Sequence, residues 1–130
     1  PMTALLKHAK LHRTVWRIAR VTAALLFSVA GAFKLAGAES MVGLFAMIGW
    51  GQWFRFVTGG LELLGAALLL RRRTAIAGAV LLAFVAAGAT MTHLTLIGGS
   101  PVPAILLLAL TIGIAAAPLR SANRWFVGKD

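Results

Sequence analysis

Thr58-Gly59-Gly60-Leu61-Glu62-Leu63-Leu64-Gly65-Ala66-Ala67-Leu68-Leu69-Leu70 carries a single carboxylate in an otherwise uncharged run. At the centre of a bilayer an ionised side chain costs at least about 2.5–3.5 kcal/mol unless it finds a partner or water. Glu62 therefore points to a function or to one half of a buried pair, and the rest of the chain decides which groups face it.

Composition sets the class. Of 130 residues 60% are hydrophobic and 12% charged, with a mean hydropathy of +0.90. A soluble domain of this length could not hide so much apolar surface. Four stretches approach or exceed the ~20 residues that cross ~30 Å of hydrocarbon. The expectation is an all-α polytopic membrane protein, a four-transmembrane-helix bundle forming one membrane domain over residues 1–130, with spans at about 21–36, 54–70, 74–98 and 102–119.

Upstream of the deciding stretch, Met41–Trp53 is apolar but broken by glycines and too short to cross. The segment 40–53 is expected to lie at the interface or to re-enter slightly. Downstream, Arg71, Arg72 and Arg73 close the second span. Gly98-Gly99-Ser100-Pro101 makes a turn between the third and fourth, because glycine permits positive φ and proline cannot continue a helix. At the start of the chain Lys7, Lys10, Arg13, Arg17 and Arg20 recur every three or four residues, so a basic helix over 4–20 presents them on one side. That helix fits either contact with anionic lipid headgroups or a solvated face that fixes topology. Ala36-Gly37-Ala38 imitates a signal-peptide cleavage site, but Lys34 interrupts the apolar region before it, and the segment is expected to be retained.

An even number of spans puts both ends on one side, where eleven of the thirteen Lys and Arg residues then fall. The positive-inside rule makes that side cytoplasmic. Trp16 and Trp125 mark the inner interface, and Trp50 and Trp53 the outer one. Small residues repeat along the first span (Ala24, Ser28, Ala32, Ala36) and the third (Ala75, Ala79, Ala83, Ala87), a pattern that lets helix backbones approach closely inside lipid.

With no cysteine in the chain, disulfides, thiol relays, iron–sulfur clusters and thiolate metal sites are excluded. A net charge of +10 could suggest nucleic acid, but the basic residues gather at helix ends, so no nucleic-acid partner is expected. His8 and His12 have the i, i+4 spacing of a chelating pair without a third ligand nearby, and only His93 lies within a span, so neither a metal nor a haem is expected. No phosphate loop or hydrolase triad is present.

The polar constellation is Lys34, Arg55, Glu62 and His93, with Thr58 and Thr90 on the same faces and Gly31, Gly59 and Gly60 at expected close approaches. Glu62 lies nine residues beyond Trp53, about 13 Å down the axis, near the midplane. Lys34 and Arg55 are equally able to reach it. Together these groups could line an outward-opening pocket floored by Glu62, or Glu62 could form a buried ion pair that only locks the helices.

Three runs resemble the DoxX-like family: Phe27-Ser28-Val29-Ala30-Gly31-Ala32-Phe33-Lys34, then the Glu62 stretch, then Leu81–Met91. The resemblance spans roughly Arg17 to Arg120 and rests on glycine followed three positions later by lysine, and on glycine followed by leucine and glutamate. It implies a four-helix membrane bundle and carries Gly31, Lys34, Gly60 and Glu62 over as the family's recurrent positions. Founding members look like small subunits of quinol oxidases or thiosulfate:quinone oxidoreductases, and other relatives are associated with oxidative-stress complexes. The expected function is a membrane subunit, not an enzyme by itself, that binds a lipophilic molecule such as a quinone in the outward-facing pocket. Its expected partners are membrane lipids, a redox complex or further copies of the chain. The alternatives are a structural or assembly protein held by the Lys34/Glu62 contact and, third, a proton- or ion-coupled carrier.

Overall fold

The computed structural model describes residues 1–127, with side chains described as far as 118. Five helices account for most of it: α1 (Met2–Ala36), α2 (Glu39–Ile48), α3 (Gln52–Leu70), α4 (Ala75–Thr92) and α5 (Val102–Val127), with a π-helical turn, His93–Ile97, between α4 and α5. No strand occurs among the described residues. Three helical segments are long and apolar enough to cross a membrane, Met2–Ala36, Gln52–Leu70 and Ala75–Ile97; the described apolar part of α5, Val102–Pro118, is shorter.

The basic helix and the first span are one continuous element, α1, of 35 residues. Between Thr3 and Ala30 there is neither glycine nor proline, so nothing interrupts the i→i−4 ladder. The helix stops where Gly37 takes up left-handed φ and ψ of 73° and 39°. Its N–H bonds Lys34 O and that of Ala38 bonds Phe33 O, the paired pattern with which a glycine closes a helix. The segment 40–53 folds as the ten-residue α2 and a turn through Gly49, Trp50 and Gly51, with positive φ at both glycines. At the opposite end the Thr74 hydroxyl donates to Leu68 O at 2.8 Å, satisfying one of the last carbonyls of α3.

α3 lies between α1 and α4, α5 packs on α4, and α1 touches α5 near one end. The packing faces follow helical spacing. On α1 the buried residues are Arg20, Ala23, Ala24, Phe27 and Gly31, while Ala32 and Ala36 of the expected four-residue stripe are exposed. A strict period of four drifts around a 3.6-residue helix, so the stripe leaves the interface within two turns. On α4 the buried set is Ala75, Gly78, Ala79, Leu82 and Ala86. Phe27, Leu69, Leu82 and Ile114 are almost wholly enclosed at the centre of the bundle.

Large apolar side chains also cover the outside, Leu25, Phe84 and Leu106 among them, and Phe84 is 75% exposed. An apolar exterior around a core of alanine and glycine suits a bundle whose solvent is lipid, where close packing takes over from the hydrophobic effect. The closest approaches are at glycines. A Cβ on Gly65 would fall 2.5 Å from Leu82 Cγ, and one on Gly78 would fall 2.8 Å from Gly65 O. Trp50 and Trp53 stack around Phe54 at the α2–α3 corner, with centroids 5.1 and 5.8 Å away. Trp16 donates its indole N–H to Ile114 O at 3.0 Å, and Trp125 lies outside the described side chains.

Candidate functional site

Helix ends that leave carbonyls unpaired attract cations, and α1 and α3 serve one another in this way. The two run antiparallel. Near one end Arg20 is buried and donates from Nε to Leu69 O, in the last turn of α3, at 2.8 Å. Near the other, Arg55 in the first turn of α3 donates from Nη1 to Lys34 O, in the last turn of α1. Arg55 also donates from Nε to Gln52 Oε1 at 2.7 Å, and Gln52 in turn donates to Val42 O of α2 at 3.0 Å. One polar chain thus ties α1, α3 and α2 together.

Between these two caps the helix backbones approach most closely at Gly31 and Gly59. A Cβ added to Gly31 would lie 2.9 Å from Gly59 O, and one on Gly59 would lie 3.1 Å from Gly31 O. This proximity places Lys34 against Glu62. The ammonium lies 3.0 Å from each carboxylate oxygen, and the two side chains are only 14% and 7% exposed. The charges neutralise one another, and Gly31 leaves room for the Glu62 stem, because its added Cβ would come within 3.3 Å of Glu62 Cβ.

Of the groups expected to surround Glu62, Lys34 is the one that bonds to it. Arg55 is engaged with the α1 carbonyl and with Gln52. Thr58 turns its hydroxyl back to Phe54 O and Arg55 O of its own helix, at 2.9 and 3.1 Å. Thr90 does the same with Ala86 O at 2.8 Å. Gly60 is exposed, and a Cβ there would meet nothing within 4 Å. Adjacent helical residues point about 100° apart, so only one member of the Gly59-Gly60 pair can face α1.

His93 belongs to a different setting. Its Nδ1 is 2.9 Å from Gly98 O, and it lines a cleft of about 430 Å³ formed by α2 and the π-helical turn. Glu39, Ser40, Leu44, Met47 and Ile97 are also in its wall, whereas Lys34 and Glu62 are not. The polar groups at this end therefore fall into two sets: a closed ion pair between α1 and α3, and an open cleft beside α2. Among the described residues no three His, Cys, Asp or Glu side chains come together as a metal site; His8 and His12 are exposed on α1.

Two bonded polar groups, the buried Arg20 and the half-buried Gln52, escape a reading based on sequence alone. Arg20 sits in a run of basic residues with the spacing of a solvated face, and Gln52 adjoins an apolar turn. The signal for Arg20 is its place at the junction with the first span, where an arginine can reach the carbonyls of an antiparallel neighbour.

A family model described as the DoxX-like family matches residues 18–118. No curated protein and no solved structure matches the chain. The match covers most of the sequence and takes in Arg20, Lys34, Arg55, Glu62 and His93. The chain belongs to the DoxX-like family and is a membrane protein.

Proposed function

We propose that this DoxX-like chain is a four-span subunit of a bacterial cytoplasmic membrane, with both termini cytoplasmic, that binds a lipophilic small molecule at the outer end of its bundle. α5 is the fourth span in this reading and α2 lies along the outer interface. Eleven of the thirteen basic side chains then lie on the cytoplasmic side, as the positive-inside rule requires. The ligand is a small lipophile such as a quinone or the quinol it forms on reduction, and the chain serves a redox partner instead of catalysing by itself.

The observation that carries the reading is the cleft beside His93. Its volume of about 430 Å³ falls in the range of small-molecule sites, which are mostly apolar with a few placed polar groups. Lys34 and Glu62 act here as the lock that holds α1 on α3 while α2 and the π-helical turn form the walls. The test is organic extraction and mass spectrometry of the gently purified protein. A stoichiometric lipophile that His93→Ala loses and that Lys34→Met/Glu62→Leu retains is the expected result. An extract without any such compound would count against the reading.

A second reading, a structural or assembly protein, is favoured by one observation: both Glu62 oxygens are already occupied by Lys34. It expects exchange of the two charges, Lys34→Glu with Glu62→Lys, and removal of His93 to leave the assembled protein and its cellular role intact.

A further inference from the structure

The cleft between α2 and the π-helical turn has a chemical polarity of its own, set by hydrogen bonding. A carbonyl oxygen can only accept, so the contact of 2.9 Å between His93 Nδ1 and Gly98 O places a hydrogen on Nδ1. In the neutral ring the lone pair is then left on Nε2, which is the logic by which one nitrogen's partner fixes the tautomer of the other. Nε2 has no hydrogen-bond partner among the described residues. The other ionisable wall group is Glu39, in the first turn of α2. An ionised carboxylate is purely an acceptor, and among the described residues the sole ion pair is that of Lys34 with Glu62.

The two cations at this end of the bundle are committed elsewhere, Lys34 to Glu62 and Arg55 to Lys34 O and Gln52. Ser40, the remaining polar wall group, can donate or accept. Leu44, Met47 and Ile97 supply apolar wall. The cleft therefore offers two acceptors that no other described side chain answers, the exposed Glu39 and His93 Nε2, over an apolar trough with room for one ring or a short alkyl chain. π-helical turns of this kind are concentrated at functional sites.

We propose that this cleft selects small amphiphiles whose head donates a hydrogen bond, a hydroxyl or a protonated amine, to His93 Nε2 and Glu39, while the apolar body lies on Leu44, Met47 and Ile97. The proposal rests on the reading that the outer end of the bundle holds a lipophile, and it narrows the chemical class: a donor head, such as the hydroxyls of a quinol, is taken, and a head that only accepts, the oxidised quinone included, is refused.

The test compares two probes with the same body, 4-pentylphenol and its methyl ether 4-pentylanisole, on the full chain in phosphatidylcholine nanodiscs. ¹⁵N-histidine NMR observes His93 Nδ1 and Nε2 separately. The phenol is expected to move the Nε2 resonance saturably and the ether to bind at least about tenfold more weakly, the scale of a hydrogen bond to a charged or strongly accepting group. Glu39→Gln and His93→Ala should each weaken the phenol by a similar factor, measured by titration. An unchanged resonance of the Trp16 indole N–H, which donates to Ile114 O across the bundle, reports that a variant has kept its fold. Equal binding of the two probes would overturn the donor rule while leaving a lipophile site in place. Binding of neither would remove both the rule and the site, and binding unaffected by both variants would move the site elsewhere.

Discussion

The two ends of the α1–α3 contact share a frame and differ in filling. A shift of 35 residues carries Arg20 to Arg55, Phe27 to Glu62 and Lys34 to Leu69. Each arginine donates to the carbonyl of the residue fourteen positions beyond its counterpart, Arg20 to Leu69 and Arg55 to Lys34. The reciprocal caps follow from antiparallel packing in one register. Under the same relation the Lys34–Glu62 contact at one end corresponds to Leu69 and Phe27 at the other, both of them in the buried apolar core. One end is held by opposite charges with a fixed geometry and the other by dispersion between apolar side chains. The charged end is also where α2, the π-helical turn and the cleft are found. In lipid, apolar packing tolerates many arrangements of similar energy, whereas a two-point ammonium–carboxylate contact constrains the register of the helices that carry it.

The largest expected effect breaks the charged end on one side only. Glu62→Leu leaves Lys34 buried without its counter-charge and should cost about 3–5 kcal/mol, read from SDS or thermal unfolding in detergent. Lys34→Met combined with Glu62→Leu should recover most of that loss, because a neutral apolar pair then matches the Phe27–Leu69 end. A single variant as stable as the parent would show that the pair does not hold this end. The frame itself is tested next: Arg20→Leu removes a charged donor from Leu69 O and should cost about 1.5–3 kcal/mol in the same unfolding assay. Gly31→Val should cost about 1–3 kcal/mol by forcing a side chain against Gly59 O, and a cysteine crosslink between the facing segments of α1 and α3 should form more slowly. The smallest effect sharpens the comparison by its contrast with Gly31: Gly60→Ala meets no neighbour and should change stability by no more than about 1 kcal/mol, in the stabilising direction. Strong destabilisation by Gly60→Ala would contradict the register described.

Helix content and the meeting of α1 with α3 are legible because apolar run length and glycine placement act locally. The partner of Glu62 is narrowed to two residues by sequence. Arg55 lies about 10 Å along the axis from Glu62, and its competing acceptor, Lys34 O, is visible only once the antiparallel register is known. His93 shares an end of the bundle with Glu62, but α2, a segment whose glycines suggest a broken interfacial stretch, folds into a helix and supplies the other wall of its cleft. Burial of Arg20 is hidden for the related reason that a basic repeat has the same spacing whether each member faces solvent or a neighbouring helix end. Long-range register, more than helical tendency, separates what could be read from what could not.

The basic part of α1 is a stiff continuation of a spanning helix, and it has an electrical consequence. Residues 1–38 contain no acidic side chain, so Lys7, Lys10, Arg13, Arg17 and Arg20 feel a transmembrane voltage in the same sense. With the N-terminus on the cytoplasmic side, as proposed, carrying one of them outward against a potential of 100 mV, negative inside, takes about 2.3 kcal/mol, and all five together about 11.5 kcal/mol on that scale. In that proposed orientation the rod would work as a voltage-held stop on the direction of insertion, strongest when the membrane is fully energised and weakened by depolarisation.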